Sequence, residues 1–190
     1  MINQNISIHE KNIAFTDLET TGLDFRKNEI IEIGLILVNQ KNLNILDEWQ
    51  IKIKPEHIEK ANLKSLEVNG YKKEDWKDAI ALKDALKTYA QKVQGTIFCS
   101  HNTTFDWAFM EEAFLVTGLM KDTDDIDNVL DYHRLDIFSL AWGILKDKKL
   151  EKFNLSYLAK YLSVPQEPLP HRAINGAKTA YEVYKKLMVM

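Results

Sequence analysis

The period of the apolar positions changes along the chain. Residues 12–18 form a short β-rich run that reaches Asp17 and Glu19, and Thr20-Thr21-Gly22 follows with turn chemistry. Residues 30–39 are strongly apolar and β-branched, and residues 49–53 alternate as a half-buried strand does. This spacing predicts a three-stranded antiparallel meander with a hairpin turn over residues 39–44. Pro55 opens a predicted helix that runs to about Leu66 and closes at Asn69-Gly70. Trp76, Ile80, Leu82, Leu86 and Tyr89 then recur at helical spacing until Gly95.

A buried strand is predicted over residues 96–100 and a helix over about 104–119. Residues 121–130 read as a polar, acidic surface loop. A short strand over 133–136 leads to helices over about 137–145 and 155–161. A proline-rich loop, 165–170, precedes a last helix over about 172–187. Strands first, then alternation with helices, predict an α/β fold with a mixed sheet covered by helices. With no internal repeat and no composition break, residues 1–190 read as one domain.

Composition narrows this picture. The chain has 190 residues, 45% hydrophobic and 28% charged, which is ordinary globular usage. The net charge of −3 argues against a broad basic surface that holds nucleic acid by phosphate neutralisation alone. Any such contact must be local or run through bound cations. Cys99 is the single cysteine, so no disulfide forms within the chain, and a reducing cytoplasmic location is expected. The start of the chain lacks the basic-then-apolar order of a signal peptide, and the apolar run 30–38 is broken by Glu32 and too short to span a bilayer.

Three segments carry candidate chemistry. In Asp17-Leu18-Glu19, residues two apart on a strand point to one side, and two carboxylates so close repel unless a cation lies between them. Hard oxygen donors on a rigid strand suit Mg²⁺ or Mn²⁺; the plain alternative is a strand end feeding a turn. In the segment His101-Asn102-Thr103-Thr104-Phe105-Asp106, Asp106 falls near a helix start, where capping alone would explain a carboxylate. In Pro170-His171-Arg172-Ala173-Ile174-Asn175-Gly176-Ala177, a histidine beside a helix start suits a general base, or is simply a surface residue.

Taken together, Asp17 to Leu23, His101-Asn102 with Phe105-Asp106, and His171 to Ile174 resemble the three motifs of DEDDh-type 3′–5′ exonucleases. That family includes the epsilon subunit of bacterial DNA polymerase III, ribonuclease T and oligoribonuclease. The resemblance covers residues 11–187 and implies a ribonuclease-H-like fold, a five-stranded mixed sheet flanked by helices. It also implies two divalent ions, Mg²⁺ or Mn²⁺, about 4 Å apart on the scissile phosphate. Carried over, Asp17 bridges both ions, Glu19 binds the first and Asp106 holds the second, partly through water. His171 takes a proton from the attacking water. Thr20, Thr21, Gly22 and Leu23 line the 3′-terminal nucleotide, with Leu23 as a wedge against its base, and Asn102 and Phe105 form the opposite wall. The implied partners are single-stranded DNA or RNA 3′ ends and a polymerase or other replication protein, with no membrane. Bound ions would supply the charge that the surface lacks.

One departure stands out. The family pattern has an aspartate five residues after the histidine, and this chain has Gly176. The first metal site is therefore expected to be weakened, with Asn175 the nearest stand-in, and an end-binding protein of impaired activity is the alternative reading. Asp122, Asp124, Asp125 and Asp127 lack the glycine and glutamate of a calcium loop and read as a solvated acidic segment. Lys146, Lys148, Lys149 and Lys152 read as a solvated helix end, and Trp107 and Trp142 as core.

Overall fold

A computed structural model describes residues 6–122, 125 and 129–190. Five strands, β1 (Ile13–Thr20), β2 (Ile30–Val38), β3 (Ile45–Lys52), β4 (Thr96–Ser100) and β5 (Leu130–Asp136), form one sheet in the order β3-β2-β1-β4-β5. The β1–β2 and β2–β3 pairs are antiparallel, as the spacing predicts, while β4 and β5 add parallel to β1. Six helices accompany them: α1 (Leu63–Val68), α2 (Leu82–Lys92), α3 (Thr103–Val116), α4 (Ile137–Leu145), α5 (Leu155–Tyr161) and α6 (Ala173–Leu187). This is the five-stranded mixed sheet flanked by helices of the ribonuclease-H-like fold.

The two faces of β1 sort by parity, because strand side chains alternate. Ala14 and Leu18 join Tyr89, Phe98, Phe109 and Met110 under α2 and α3. Ile13 and Phe15 join Ala177, Tyr181 and Tyr184 of α6 on the other face. All five residues of β4 are buried, as expected of a strand covered on both faces. The odd positions of β1 thus point toward α6, and Asp17 and Glu19 continue that row.

Several predicted elements differ from those found, each for a tertiary reason. Pro55 does not open a helix: the Glu29 carboxylate accepts the backbone N–H groups of Glu56 and His57, both at 2.9 Å, and holds this stretch open. Only a 3₁₀ turn (Ile58–Lys60) forms before α1, which starts at Leu63 where the Asn62 side chain accepts from Lys64 and Ser65 N–H. Trp76 and Ile80 are not part of α2. The Trp76 indole donates to the Ile31 carbonyl at 3.0 Å, Ile80 bridges to Ile53, and α2 begins at Leu82.

Helix α3 stops at Val116, with Gly118 at φ +65° and the N–H groups of Leu119 and Met120 turned back to the Phe114 carbonyl. Trp142 is not core: α4 buries Ile137, Ala141 and Leu145, leaving the indole 52% exposed beside Phe153. Trp107 is partly buried, edge-on to Phe98 at 5.3 Å. Lys146, Lys148, Lys149 and Lys152 are exposed. Of the acidic segment, Asp122 and Asp125 are exposed or half-exposed, while Asp124 and Asp127 lie outside the described residues.

Candidate active site

The site is assembled where the end of β1 meets the first turns of α6 and α3. Antiparallel register sets Asp17 opposite Gly34 and Glu19 opposite Glu32, so the three carboxylates share one face of the sheet. Gly34 is required by close approach: a Cβ there would lie 2.1 Å from the Ala173 carbonyl carbon, so α6 begins directly on the β2 backbone. One turn further, a Cβ on Gly176 would lie 2.4 Å from Asp17 Oδ2. A side chain at 176 would therefore enter the space that the Asp17 carboxylate now fills.

Asp106 reaches the same place from the first turn of α3 and is 4% exposed. The Ser100 hydroxyl and the Leu18 N–H hydrogen-bond its carboxylate and pull its pKa down, yet burial outweighs them and raises it to about 7. Glu19 is raised to about 8, by burial first and then by the charges of Glu167 and Glu32, against the pull of Arg172. Asp17 is raised well above the ordinary carboxylate range by enclosure, then by Asp106 and Glu19. Acids crowded this way cannot all ionise without a cation among them. Asp17, Glu19 and Asp106 thus act on one another electrostatically.

His171 lies just before α6, its backbone N–H donating to the Val68 carbonyl at 3.2 Å and its ring 41% exposed. Donor atoms of Glu19, Glu167 and His171 all fall within 4.8 Å of one another. Arg172, whose charge pulls on Glu19, donates to the carbonyls of Asn69 and His171 and lies 5.5 Å over the Trp76 ring.

The loop after β1 is pinned by its own side chains. Thr20 Oγ1 donates to the Gly22 carbonyl at 2.7 Å, and Thr21 Oγ1 accepts the Glu29 N–H at 2.9 Å. Both threonines are buried, with their hydroxyls committed to the loop. Gly22 closes on Asn28, whose Oδ1 would be 2.4 Å from a Cβ there. Leu23 projects at 79% exposure, an apolar side chain held out from a rigid turn. Opposite, Asn102 takes a left-handed conformation, φ +62°, as the cap of α3. Its N–H and that of Thr103 donate to Asp136 Oδ1 at 2.9 and 3.1 Å. Phe105 is half-buried, its ring 5.0 Å from that of Phe109.

Asn175 borders a cleft that Glu32, Arg172, Gln50, Lys52 and Asp75 also line. Two acids absent from the sequence reading belong to the site instead. Glu32 is 1% exposed, and its Oε2 has no hydrogen-bond partner among the described residues. Its signal was a lone carboxylate inside an apolar strand. Glu167 comes from the proline-rich loop, and its signal was the four-residue spacing ahead of His171. A divalent cation fits this donor set: hard oxygens from several carboxylates and an orphaned buried carboxylate oxygen.

A family model described as Exonuclease (RNase_T) matches residues 14–184. The PolC-type DNA polymerase III of Caldanaerobacter subterraneus subsp. tengcongensis is 28% identical over 172 residues, 90% of this chain and 11% of that protein. Protein NEN2 of Arabidopsis thaliana is 28% identical over 177 residues, 91% of this chain and 34% of that one. Among solved structures, E. coli exonuclease I in complex with a dT13 oligonucleotide superposes with a TM-score of 0.78 at 15% identity. The match covers 92% of this chain and 40% of that chain, and at such identity it speaks to the fold. This chain spans well under half the length of each of these proteins.

Proposed function

The chain belongs to the Exonuclease (RNase_T) family, of the DEDDh type, and on that footing we propose that it is a metal-dependent 3′–5′ exonuclease acting on single-stranded nucleic acid ends. The observation that carries this reading is the convergence of Asp17, Glu19 and Asp106, all with raised pKa values, at the end of one central strand. Their carboxylates would hold Mg²⁺ or Mn²⁺, which when bound would offset the charge of the scissile phosphate and lower the pKa of water so that it yields a nucleophilic hydroxide.

The remaining steps fall to the chain's own residues. His171, partly exposed at the mouth of the site, accepts the proton of the attacking water. Leu23 inserts against the terminal base, and stacking on Phe105 with contacts from Asn102 completes the opposite wall. The backbone of Thr20, Thr21 and Gly22 fixes where the 3′ end stops, in a turn that the Thr20 and Thr21 hydroxyls help to hold. The PolC-type relatives carry a matching segment within DNA polymerase III, which supports a replication protein as partner. No helix among the described residues is long and apolar enough to cross a membrane.

A second reading, a protein that binds ends and turns over little, is favoured by Gly176 alone. The two are separated with purified protein, Mn²⁺ and a 5′-labelled single strand. The exonuclease reading expects a ladder of products shortened from the 3′ end. Retention of the strand without cleavage would favour the binder.

A further inference from the structure

Gly176 leaves α6 without a carboxylate beside Asp17, but another acid arrives from the loop in front of the helix. Residues 165–170 carry three prolines, Pro165, Pro168 and Pro170, which fix φ on both sides of Glu167. Pro165, Gln166, Pro168 and Leu169 are exposed, whereas the Glu167 side chain turns inward to 14% exposure. Its Oε1 accepts the Arg172 N–H at 3.4 Å, and Oε2 lies 3.6 Å from His171 Nδ1. A carboxylate of Glu19 falls within the same 4.8 Å cluster.

We propose that Glu167 is the metal-binding carboxylate that replaces the one missing at Gly176, holding a divalent cation together with Glu19. This rests on the metal-dependent reading above. A plain ion pair with His171 would account for Glu167 but not for Glu19, since two carboxylates approach this closely at a cost unless a cation joins them. The buried Oε2 of Glu32, on the same face as Glu19, is a further carboxylate oxygen without a hydrogen-bond partner among the described residues. Gly176 and Glu167 are then a matched pair. The glycine gives Asp17 the space of the lost side chain, and the loop returns the lost charge from nine residues upstream.

The test reads metal binding without substrate: Mn²⁺ titrated into the full chain and followed by the electron paramagnetic resonance signal of unbound ion. Glu167→Gln, which keeps the shape and the hydrogen bond from Arg172, should weaken the tightest Mn²⁺ site by about tenfold or more. Glu167→Asp should fall between it and the wild type. Adding Gly176→Asp to Glu167→Gln should recover most of the lost affinity. If Glu167→Gln binds Mn²⁺ as tightly as wild type while Asp17→Asn does not, the role of Glu167 is overturned and the metal-dependent reading stands. If the wild type itself takes up no Mn²⁺ at millimolar concentration, the metal-dependent reading fails and this inference with it. A shift of the pH–rate profile with unchanged Mn²⁺ affinity would instead make Glu167 a positioning residue for His171, which also overturns the proposal.

Discussion

The two sides of the site are built in different ways. Asp17 and Glu19 stand on β1, which pairs with β2 on one side and β4 on the other, and their positions are set by register against Gly34 and Glu32. Shifting either would mean slipping a central strand and turning its buried face outward. Glu167 and His171 stand on the connection from α5 to α6, where the chain is exposed and held by a few hydrogen bonds. A group carried by a loop can be exchanged for one a few residues away without disturbing the core. The proposed strand-borne ligands Asp17 and Glu19 lie on the fixed side, and Gly176 lies beside the loop from which another residue can reach in.

The sharpest break of this comparison is on the strand. Asp17→Ala should abolish hydrolysis while the circular dichroism spectrum is kept, and the metal-free protein should melt no lower than wild type, because the substitution relieves charge crowding. Residual cleavage resistant to excess EDTA would contradict it. On the loop side, His171→Ala should lower turnover by about 10²-fold or more and remove the rising limb of the pH–rate profile, with end binding retained. An unchanged rate constant would make this histidine a bystander.

Gly176→Asp joins the two sides. In the metal-free protein the new Cβ must displace the Asp17 carboxylate, now 2.4 Å away, and overpacking of this kind costs about 1–3 kcal/mol. That exceeds the roughly 0.3–0.5 kcal/mol that replacing a helix-interior glycine returns. The variant should therefore melt lower without metal, recover on adding Mg²⁺, and show its largest activity gain in Mg²⁺ rather than Mn²⁺. A metal-free melting point equal to or above the wild type would show that Asp17 moves aside freely.

A further effect is expected on stability against pH. Glu19 is raised from 4.5 to about 8 and Asp106 from 3.8 to about 7, so between about pH 4 and 8 the folded, metal-free protein holds protons that the unfolded chain has released. Its stability should fall as pH rises through that window and level off above it. Saturating Mn²⁺ should flatten or reverse the slope, and a stability that rises with pH without metal would count against the crowded site. Thermal melts at several pH values, with EDTA or Mn²⁺, measure this.

What could be read in advance follows the same division. The meander of β1, β2 and β3 is written in the spacing of apolar runs and turns, and parity alone puts Asp17 and Glu19 on one face. Asp106 and His171 stood out through the resemblance to the exonuclease motifs, because helix capping and a surface loop would each explain them taken alone. The predicted helix after Pro55 fails because Glu29, distant in sequence, captures the N–H groups of Glu56 and His57. Helical spacing from Trp76 misleads because Trp76 and Ile80 are tied to the sheet. Trp142 was placed inside on residue type, while the burial face of α4 is set by Ile137, Ala141 and Leu145. Glu167 could not be read from composition, since a proline-rich loop does not declare which way its one acid turns.

The most direct test of the central claim is anomalous diffraction from crystals of the wild-type chain soaked in Mn²⁺. The account predicts one or two manganese peaks bounded by the carboxylates of Asp17, Glu19 and Asp106. Saturating Mn²⁺ that leaves no peak among those three side chains would contradict it.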